Sequence, residues 1–369
     1  MASRLNRMSL TLSLYLAKKF LTSIFLTLLV LGAVSMSIDY LEMTRRLSAK
    51  GIATSELALQ LVALKTPDML LQLAPFAILL GTLAAFARLT KGYELTAIRA
   101  SGIPARTFLI PPMLVCLAVG LFNLAVLSPF SASTLKKFER LENEIFPGSA
   151  QGLVTEGGQI WLKQTLDDGE MMLFAKSVED GGEVMEDATI FMFNPDGGFK
   201  ERYDTPLVTL DSGTLHIDST LYMQYGEPMA SKENVNIKTD LSPQMIQNSF
   251  TSPQTLSVWK LPEFIEDLES AGFSSQQHKM HLHRLLSAPA LALAMFLLAA
   301  PFALHYSRQR SAGFLMIGGI CFGFIFYMFS NLISTYGLAG RIDLVLSAWM
   351  PAFIAALIGV SLFLHFREE

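Results

Sequence analysis

Residues 20–38 read FLTSIFLTLLVLGAVSMSI, without a single Asp, Glu, Lys or Arg. About 20 residues of helix span the hydrocarbon core of a bilayer, and only helices and closed barrels satisfy their backbone hydrogen bonds there. Further uncharged stretches of similar or greater length lie at residues 69–87, 107–135, 285–304, 311–340 and 344–364. The sequence therefore predicts six transmembrane helices, three on each side of a polar middle segment.

Composition supports this prediction and divides the chain by charge. Of the 369 residues, 51% are hydrophobic and 16% are charged, which is more apolar than an ordinary soluble enzyme. Residues 136–284 carry 12 Lys and Arg against 24 Asp and Glu, whereas the rest of the chain carries 16 against 8. The middle segment is therefore acidic and the membrane part basic. Neither pattern suggests nucleic-acid binding.

The distribution of positive charge predicts the orientation of the helices, because cytoplasmic segments are enriched in Lys and Arg. With the N-terminus inside, the segments that face the cytoplasm carry eleven such residues and the short outer loops carry five. We therefore expect both termini in the cytoplasm and the middle segment outside. The predicted domains are residues 1–135, 136–284 and 285–369.

The acidic middle segment is predicted to be a β domain. Short runs of strand length and composition lie at residues 158–163, 171–175, 189–193, 207–210, 214–217 and 221–224. Turn sequences rich in Asp, Asn and Gly separate them, as at 167–169, 180–182 and 194–198. This spacing favours a sandwich, a jelly roll or a barrel. A helix is predicted to follow at Leu256–Ala271.

Common catalytic and metal-binding signatures are absent from the sequence. There is no GxxxxGK[ST] loop, so we expect this chain to bind no ATP, Mg²⁺ or other cofactor of its own. There is no HExxH or GxSxG motif, which argues against common protease and hydrolase classes. His278, His281 and His283 have a spacing that could serve a metal, but such a cluster is also typical of a segment beside a membrane span. We predict no metal site.

The segment between the second and third spans, KGYELTAIRASGIP at residues 91–104, predicts a short cytoplasmic helix. Glu94 suits the first turn of this helix, Arg99 the last turn, and Gly102 its end. Leu95 and Ile98 form a small apolar edge. Such a helix is what a transporter needs to dock an ATPase, although a solvated connector has the same composition.

Several short motifs are distributed along the chain. They are Tyr15-Leu16-Ala17-Lys18, PFAILLG at 75–81, ELTAIRASG at 94–102, GICFGFIF at 319–326 and AWMP at 348–351. In these positions they resemble the LptF/LptG family of bacterial lipopolysaccharide export permeases, over essentially the whole chain. The ELTAIRASG segment is the most specific of them, and the fifth and sixth spans favour the LptG branch.

This resemblance implies a bacterial inner-membrane protein with six transmembrane helices and a periplasmic, all-β, jellyroll-like domain. It implies an ABC-type permease subunit that pairs with an LptF-like sister permease. It implies that a dimer of an LptB-like ATPase binds and hydrolyses the ATP. It also implies that the complex extracts lipopolysaccharide from the membrane and passes it to an LptC-like bitopic protein and a periplasmic bridge.

The resemblance also implies an ATPase-coupling site in the short helix at about 91–102. Glu94 falls on the acidic position of the family's coupling helix. Leu95, Ile98 and Arg99 accompany it and complete the predicted coupling site.

A second predicted site lies at the outer end of the first span. Arg45 and Arg46 match basic positions that meet the ligand's phosphates in the family, and Lys50 adds a third cation. An anionic amphiphile needs an apolar cavity with a cationic rim. The same residues could instead extend toward lipid head groups as interfacial anchors. Asp39 stands where some relatives carry Lys, so the phosphates need not be held in the same way.

Two other functions stay open at this point. The chain could be the sister subunit, LptF, of the same transporter. It could also be an ATPase-independent membrane scaffold or a lipid-modifying enzyme. The missing catalytic signatures argue against an enzyme, and the 91–102 segment argues against a passive scaffold.

Overall fold

A computed structural model of the protein describes residues 9–52, 55–146, 160–166, 169–179, 183–194, 198–211, 213–224, 227–239, 252–270, 274–304 and 312–365. These residues form two compact units. The helical unit takes in the described residues of Met1–Glu139, Leu256–Trp259 and Lys279–Glu369. The sheet unit takes in those of Arg140–Thr255 and Lys260–His278.

Helices run through each of the uncharged stretches. They are α1 (Leu10–Ala49), α2 (Ser55–Lys91), α3 (Glu94–Ala100), α4 (Ala105–Phe122), α5 (Ser128–Ile145), α6 (Leu261–Ser270), α7 (Gln276–Leu304), α8 (Ala312–Leu338) and α9 (Leu344–His365). Within the described residues, five stretches are long and apolar enough to cross a membrane: Leu10–Ala49, Ser55–Lys91, Thr107–Ile145, Gln276–Pro301 and Leu344–Ser361. The prediction of several apolar helices is confirmed.

The helices differ in how continuous they are. α1 contains no proline along its 40 residues. Prolines lie inside α2, α4, α7 and α9, and a π-helical turn at Asn123–Leu127 joins α4 to α5. Internal prolines and π turns are the usual causes of helix kinks. α5 extends beyond residue 135 to Ile145, and α7 begins at Gln276, before residue 285. A helix does not have to begin or end where its apolar stretch does.

Three aromatic rings lie at the centre of the helical unit. Phe20 of α1 contacts Phe86 of α2 edge to face, with ring centroids 4.8 Å apart. Phe296 of α7 lies 6.2 Å from Phe20 and 6.4 Å from Phe86 by the same measure. All three side chains are completely or almost completely buried. This cluster fixes α1 against α2 and α7.

The backbones of α1 and α2 approach closely at Gly81. A Cβ atom added at Gly81 would lie 2.7 Å from the Cα atom of Ile24, so no larger residue fits without displacing α1. The buried Ser23 hydroxyl donates a hydrogen bond of 2.8 Å to the Gly81 carbonyl. Small residues and hydroxyl bonds of this kind are typical of helix pairs in membranes.

The sheet unit contains one antiparallel sheet. Its strands are β1 (Ile160–Leu166), β2 (Gly169–Ala175), β3 (Ser177–Glu179), β4 (Val184–Phe193), β5 (Phe199–Asp211), β6 (Thr214–Gln224) and β7 (Ala230–Lys238). They pair in the order β1-β2-β4-β5-β6-β7, with β3 also on β4. An apolar core lies on one face, centred on Met171, Leu173, Ile190, Val208 and Ile217. The prediction of a β domain is confirmed.

The sheet differs from the prediction at several points. β4 and β5 begin earlier than the predicted runs, at Val184 and Phe199, and β3 was not predicted. The separate runs at 214–217 and 221–224 form one strand, β6, because the polar residues between them stay in the sheet. Within the β6–β7 pair, Asp218 and Asn234 lie opposite each other without being paired, and the φ of Asn234 is +52°. The strands therefore have a local irregularity at Asp218 and not a turn. β7 was not predicted, because only Val235 and Ile237 of this polar strand are buried.

The helix after the sheet is shorter than predicted. α6 begins at Leu261 and not at Leu256. Pro262 lies in its first turn, where a missing amide N–H costs nothing, but proline disfavours helical geometry in the residue before it. Some predicted features lie outside the described residues. They are the turns at residues 167–168, 180–182 and 195–197 and the charges counted at 1–8, 305–310 and 366–369.

Candidate coupling site and basic rim

The predicted short helix is present as α3, and its ends are set by two left-handed residues. Tyr93, before the helix, has a φ of +59°, and Gly102, after it, has a φ of +80°. The Gly102 amide donates to the Arg99 carbonyl at 3.0 Å, which closes the last turn. Because Gly92 and Tyr93 separate α3 from α2, the chain bends sharply between these helices.

The apolar edge of α3 faces the protein itself. Leu95 is 5% exposed and Ile98 is 8% exposed, and both belong to the same buried cluster as Leu16 and Phe20 of α1. The opposite face of α3 is exposed, including Arg99. A partner that docks on α3 therefore meets this exposed face, while Leu95 and Ile98 hold the helix in place.

Glu94 is bound by two residues of α1. Lys19 Nζ lies 2.5 Å from Glu94 Oε1, and the Tyr15 hydroxyl donates to Glu94 Oε2 at 2.8 Å. Lys19 Nζ also donates to the Tyr15 oxygen at 2.9 Å, so the three side chains form a closed triangle. We call Tyr15, Lys19 and Glu94 the latch. It joins the N-terminal part of α1 to α3.

Burial and hydrogen bonding act in opposite directions on the Glu94 carboxyl. Partial desolvation favours its neutral form, but the hydrogen bonds from Lys19 and Tyr15, with the charge of Lys19, outweigh this effect. The pKa of Glu94 is therefore lowered from its usual 4.5. The carboxylate is ionised at neutral pH and the latch is a charge-assisted contact.

The three cations predicted to bind the ligand follow one another at the C-terminal end of α1. Arg45 is exposed and Arg46 is half-buried, in the last turns of α1, and Lys50 is its C-cap residue. We call Arg45, Arg46 and Lys50 the rim. Positive side chains at this position also interact favourably with the helix dipole, so the rim is in part a local feature of α1.

A second ion pair lies between α1 and α2, close to the rim. Lys65 Nζ is 3.0 Å from Asp39 Oδ2, and the Asp39 side chain is 19% exposed. Asp68 lies one turn farther along α2, where it accepts hydrogen bonds from Gln72 at 2.8 Å and from Ser131 at 3.4 Å. Lys65 is therefore paired with Asp39, and its charge also acts on Asp68. Asp39, which stands where some relatives carry Lys, therefore forms an intramolecular ion pair with Lys65.

The whole chain, and not only this site, matches a known family. Residues 14–365 match the profile of the lipopolysaccharide export system permease LptF/LptG family. The chain belongs to this family. It is 23% identical to the lipopolysaccharide export system permease protein LptG of Haemophilus influenzae over 354 residues, 93% of this chain and 95% of that protein. It is also 23% identical to the LptG protein of Escherichia coli K12 over 364 residues, 96% and 98% of the two chains.

For this LptF/LptG permease, sequence reasoning found Glu94 but missed its partners. In the sequence, Lys19 and Lys65 enter only the counts of positive charge, and Tyr15 belongs only to a short motif. A contact between residues far apart in the sequence leaves no local pattern. His278, His281 and His283 lie in the first turns of α7. Within the part of the chain that the structure describes, no group of three or more His, Cys, Asp or Glu residues could hold a metal ion.

Proposed function

We propose that this chain is the LptG-like permease subunit of a lipopolysaccharide exporter in the bacterial inner membrane. In this proposal it has six membrane-spanning helices, cytoplasmic termini and a periplasmic, jellyroll-like domain. It pairs with an LptF-like permease, and a separate LptB-like ATPase dimer supplies the energy. Lipopolysaccharide leaves the membrane through this pair toward an LptC-like protein and a periplasmic bridge.

The position of α3 supports the coupling role most directly. It is a seven-residue helix between two long apolar helices, α2 and α4. Its side with Leu95 and Ile98 is packed into the helical unit, the opposite side is exposed, and Glu94 fastens it to α1. A connector without a function needs neither this packing nor an ion pair. In a family of export permeases, an exposed, firmly attached helix suits the docking of an ATPase.

The proposal is tested by reconstitution with candidate partners. The chain is expressed with an LptF-like permease and an LptB-like ATPase from the same organism and purified through a tag on the ATPase. We expect the three chains to co-purify, and we expect ATP-dependent release of lipopolysaccharide from proteoliposomes that contain the complex. If the chain purifies without the ATPase and release does not depend on ATP, the proposal is wrong.

The orientation is tested by labelling with a membrane-impermeant maleimide. In a background without Cys116 and Cys321, the exposed residue Asp218 of β6 and the exposed residue Thr96 of α3 are replaced by Cys in separate variants. We expect Asp218→Cys to react in spheroplasts and Thr96→Cys to react only after lysis. The reverse pattern would place the sheet unit in the cytoplasm.

A further inference from the structure

The latch adds a polar attachment of α3 to the helical unit. α3 is otherwise held by the chain itself, through the bend at Gly92 and Tyr93 that follows α2, and by the apolar contacts of Leu95 and Ile98. Apolar contacts have no fixed direction, so a helix held only in these ways can swivel when a partner pulls on it. The latch joins α3 to a different helix, α1, through both carboxylate oxygens of Glu94. A displacement of α3 then has to move α1 as well.

The helix that receives this displacement is suited to carry it. α1 has no internal proline, and Lys19 and Arg45 lie on it 26 residues apart, about 39 Å at 1.5 Å per residue. The Ser23–Gly81 hydrogen bond and the Asp39–Lys65 ion pair hold α1 to α2 between these points. α1 and α2 therefore form one continuous body from the latch to the rim.

We propose that Lys19 and Tyr15 are positioning residues that pass the movement of α3 to α1, and through α1 to the rim. This inference rests on the proposed function, because it assumes that an ATPase moves α3. It assigns to Glu94 an intramolecular role in addition to any contact with the ATPase. The latch residues set how much lipopolysaccharide is released for each ATP hydrolysed.

The variants that test this inference leave Glu94 unchanged, so that a contact between Glu94 and the ATPase stays intact. Lys19→Gln removes the ion pair. Tyr15→Phe removes two hydrogen bonds, the one that Tyr15 donates to Glu94 and the one that it accepts from Lys19, but keeps the ion pair. Lys19→Arg keeps the charge and the donors. Lys18→Gln is the matched control, because Lys18 is the neighbouring lysine of the same helix and its side chain is exposed.

The measured quantities are complex yield, ATP hydrolysis and lipopolysaccharide release in proteoliposomes. We expect Lys19→Gln to lower release per ATP about fivefold, as expected for a partly exposed ion pair, with little change in yield. Tyr15→Phe should have a smaller effect, and Lys19→Arg and Lys18→Gln should match the wild type. An unchanged ratio in Lys19→Gln, or an equal loss in Lys18→Gln, overturns the inference. If the wild-type complex shows neither ATP hydrolysis nor lipopolysaccharide release, the proposed function is overturned instead.

A second measurement follows the latch without any activity. Spin labels at the exposed positions Leu14 of α1 and Thr96 of α3 report the distance between these helices. We expect a narrow distance distribution in the wild type, a broad one in Lys19→Gln, and a narrow one again in Lys19→Arg. A distribution that stays narrow in Lys19→Gln means that Leu95 and Ile98 alone hold α3, which overturns the role of Lys19.

Discussion

The two ends of α1 both carry a lysine–carboxylate pair, but the pairs differ in their surroundings. At the N-terminal end, both oxygens of Glu94 are bound, and the latch joins two helices that no short chain segment connects. At the C-terminal end, the Asp39–Lys65 pair lies near a second carboxylate, Asp68, and precedes the cations of the rim. The latch is a closed set of three contacts that ties α3 to α1. The Asp39–Lys65 pair changes the net charge near the rim, where we predict that an anionic ligand binds.

The largest effect is expected from a change that disturbs both ends at once. Gly81→Val places side-chain atoms against the backbone of Ile24, so α1 and α2 must separate in the middle. Overpacking of this kind costs about 1–3 kcal/mol. We expect a clear fall in the unfolding temperature of the detergent-solubilised protein. Gly318→Val is the matched control, because open space surrounds Gly318 of α8. Equal losses in both variants would contradict the close contact at Gly81.

The rim should affect the ligand and not the assembly. A guanidinium group grips a phosphate through two hydrogen bonds, which an ammonium group imitates less well. We expect Arg45→Gln with Arg46→Gln to reduce photocrosslinking of lipopolysaccharide about tenfold at low salt, and the double Lys variant to lose less. Co-purification with the ATPase should not change. Arg341→Gln, an exposed arginine beside Tyr336, is the control. Equal crosslinking across the series would make the rim an interfacial anchor.

Removing one partner of the Asp39–Lys65 pair should strengthen or weaken lipopolysaccharide binding at the rim, depending on which charge is lost. Asp39→Asn leaves the Lys65 charge without its nearest carboxylate, so we expect stronger binding of the anionic lipopolysaccharide, by about two- to fivefold. Lys65→Gln removes the positive charge beside Asp39, so we expect weaker binding of the anionic ligand by a similar factor. Binding is measured by crosslinking at two salt concentrations, since screening should reduce both effects. A change of the same sign in both variants would mean that the pair only holds the helices together.

The sequence predicts what depends on local pattern. The apolar stretches predict the helices because hydropathy is a local property, and Gly92 and Gly102 mark the limits of α3 for the same reason. The direction in which Leu95 and Ile98 point depends on helices elsewhere in the chain. Their pattern predicts an apolar edge, but only the fold shows that this edge is buried.

The partners of the candidate sites are tertiary features. Lys19 and Glu94 lie 75 residues apart in the sequence, and neither carries a sign of the other. Lys65 is counted in the sequence as an outer-loop cation, but in the structure it neutralises Asp39. Ion pairs of this kind decide which charges remain for a ligand or a partner. The sequence therefore predicts Glu94 as a candidate residue, but it does not predict Lys19, Tyr15 or Lys65 as partners of the acidic side chains.

The smallest effect concerns pH and separates the latch from an ordinary surface contact. The pKa of Glu94 is lowered from 4.5 in the folded protein. A carboxyl group with a lowered pKa stabilises the folded arrangement above its unfolded pKa, and this contribution is lost as the pH falls through the folded pKa. The Leu14–Thr96 spin-label distance should therefore stay constant from about pH 8 to pH 5 and broaden only at lower pH. In Glu94→Gln, which cannot ionise, the same distance should be broad at every pH. A wild-type transition near pH 6 would contradict a lowered pKa and would mean that Lys19 and Tyr15 do not hold this carboxylate.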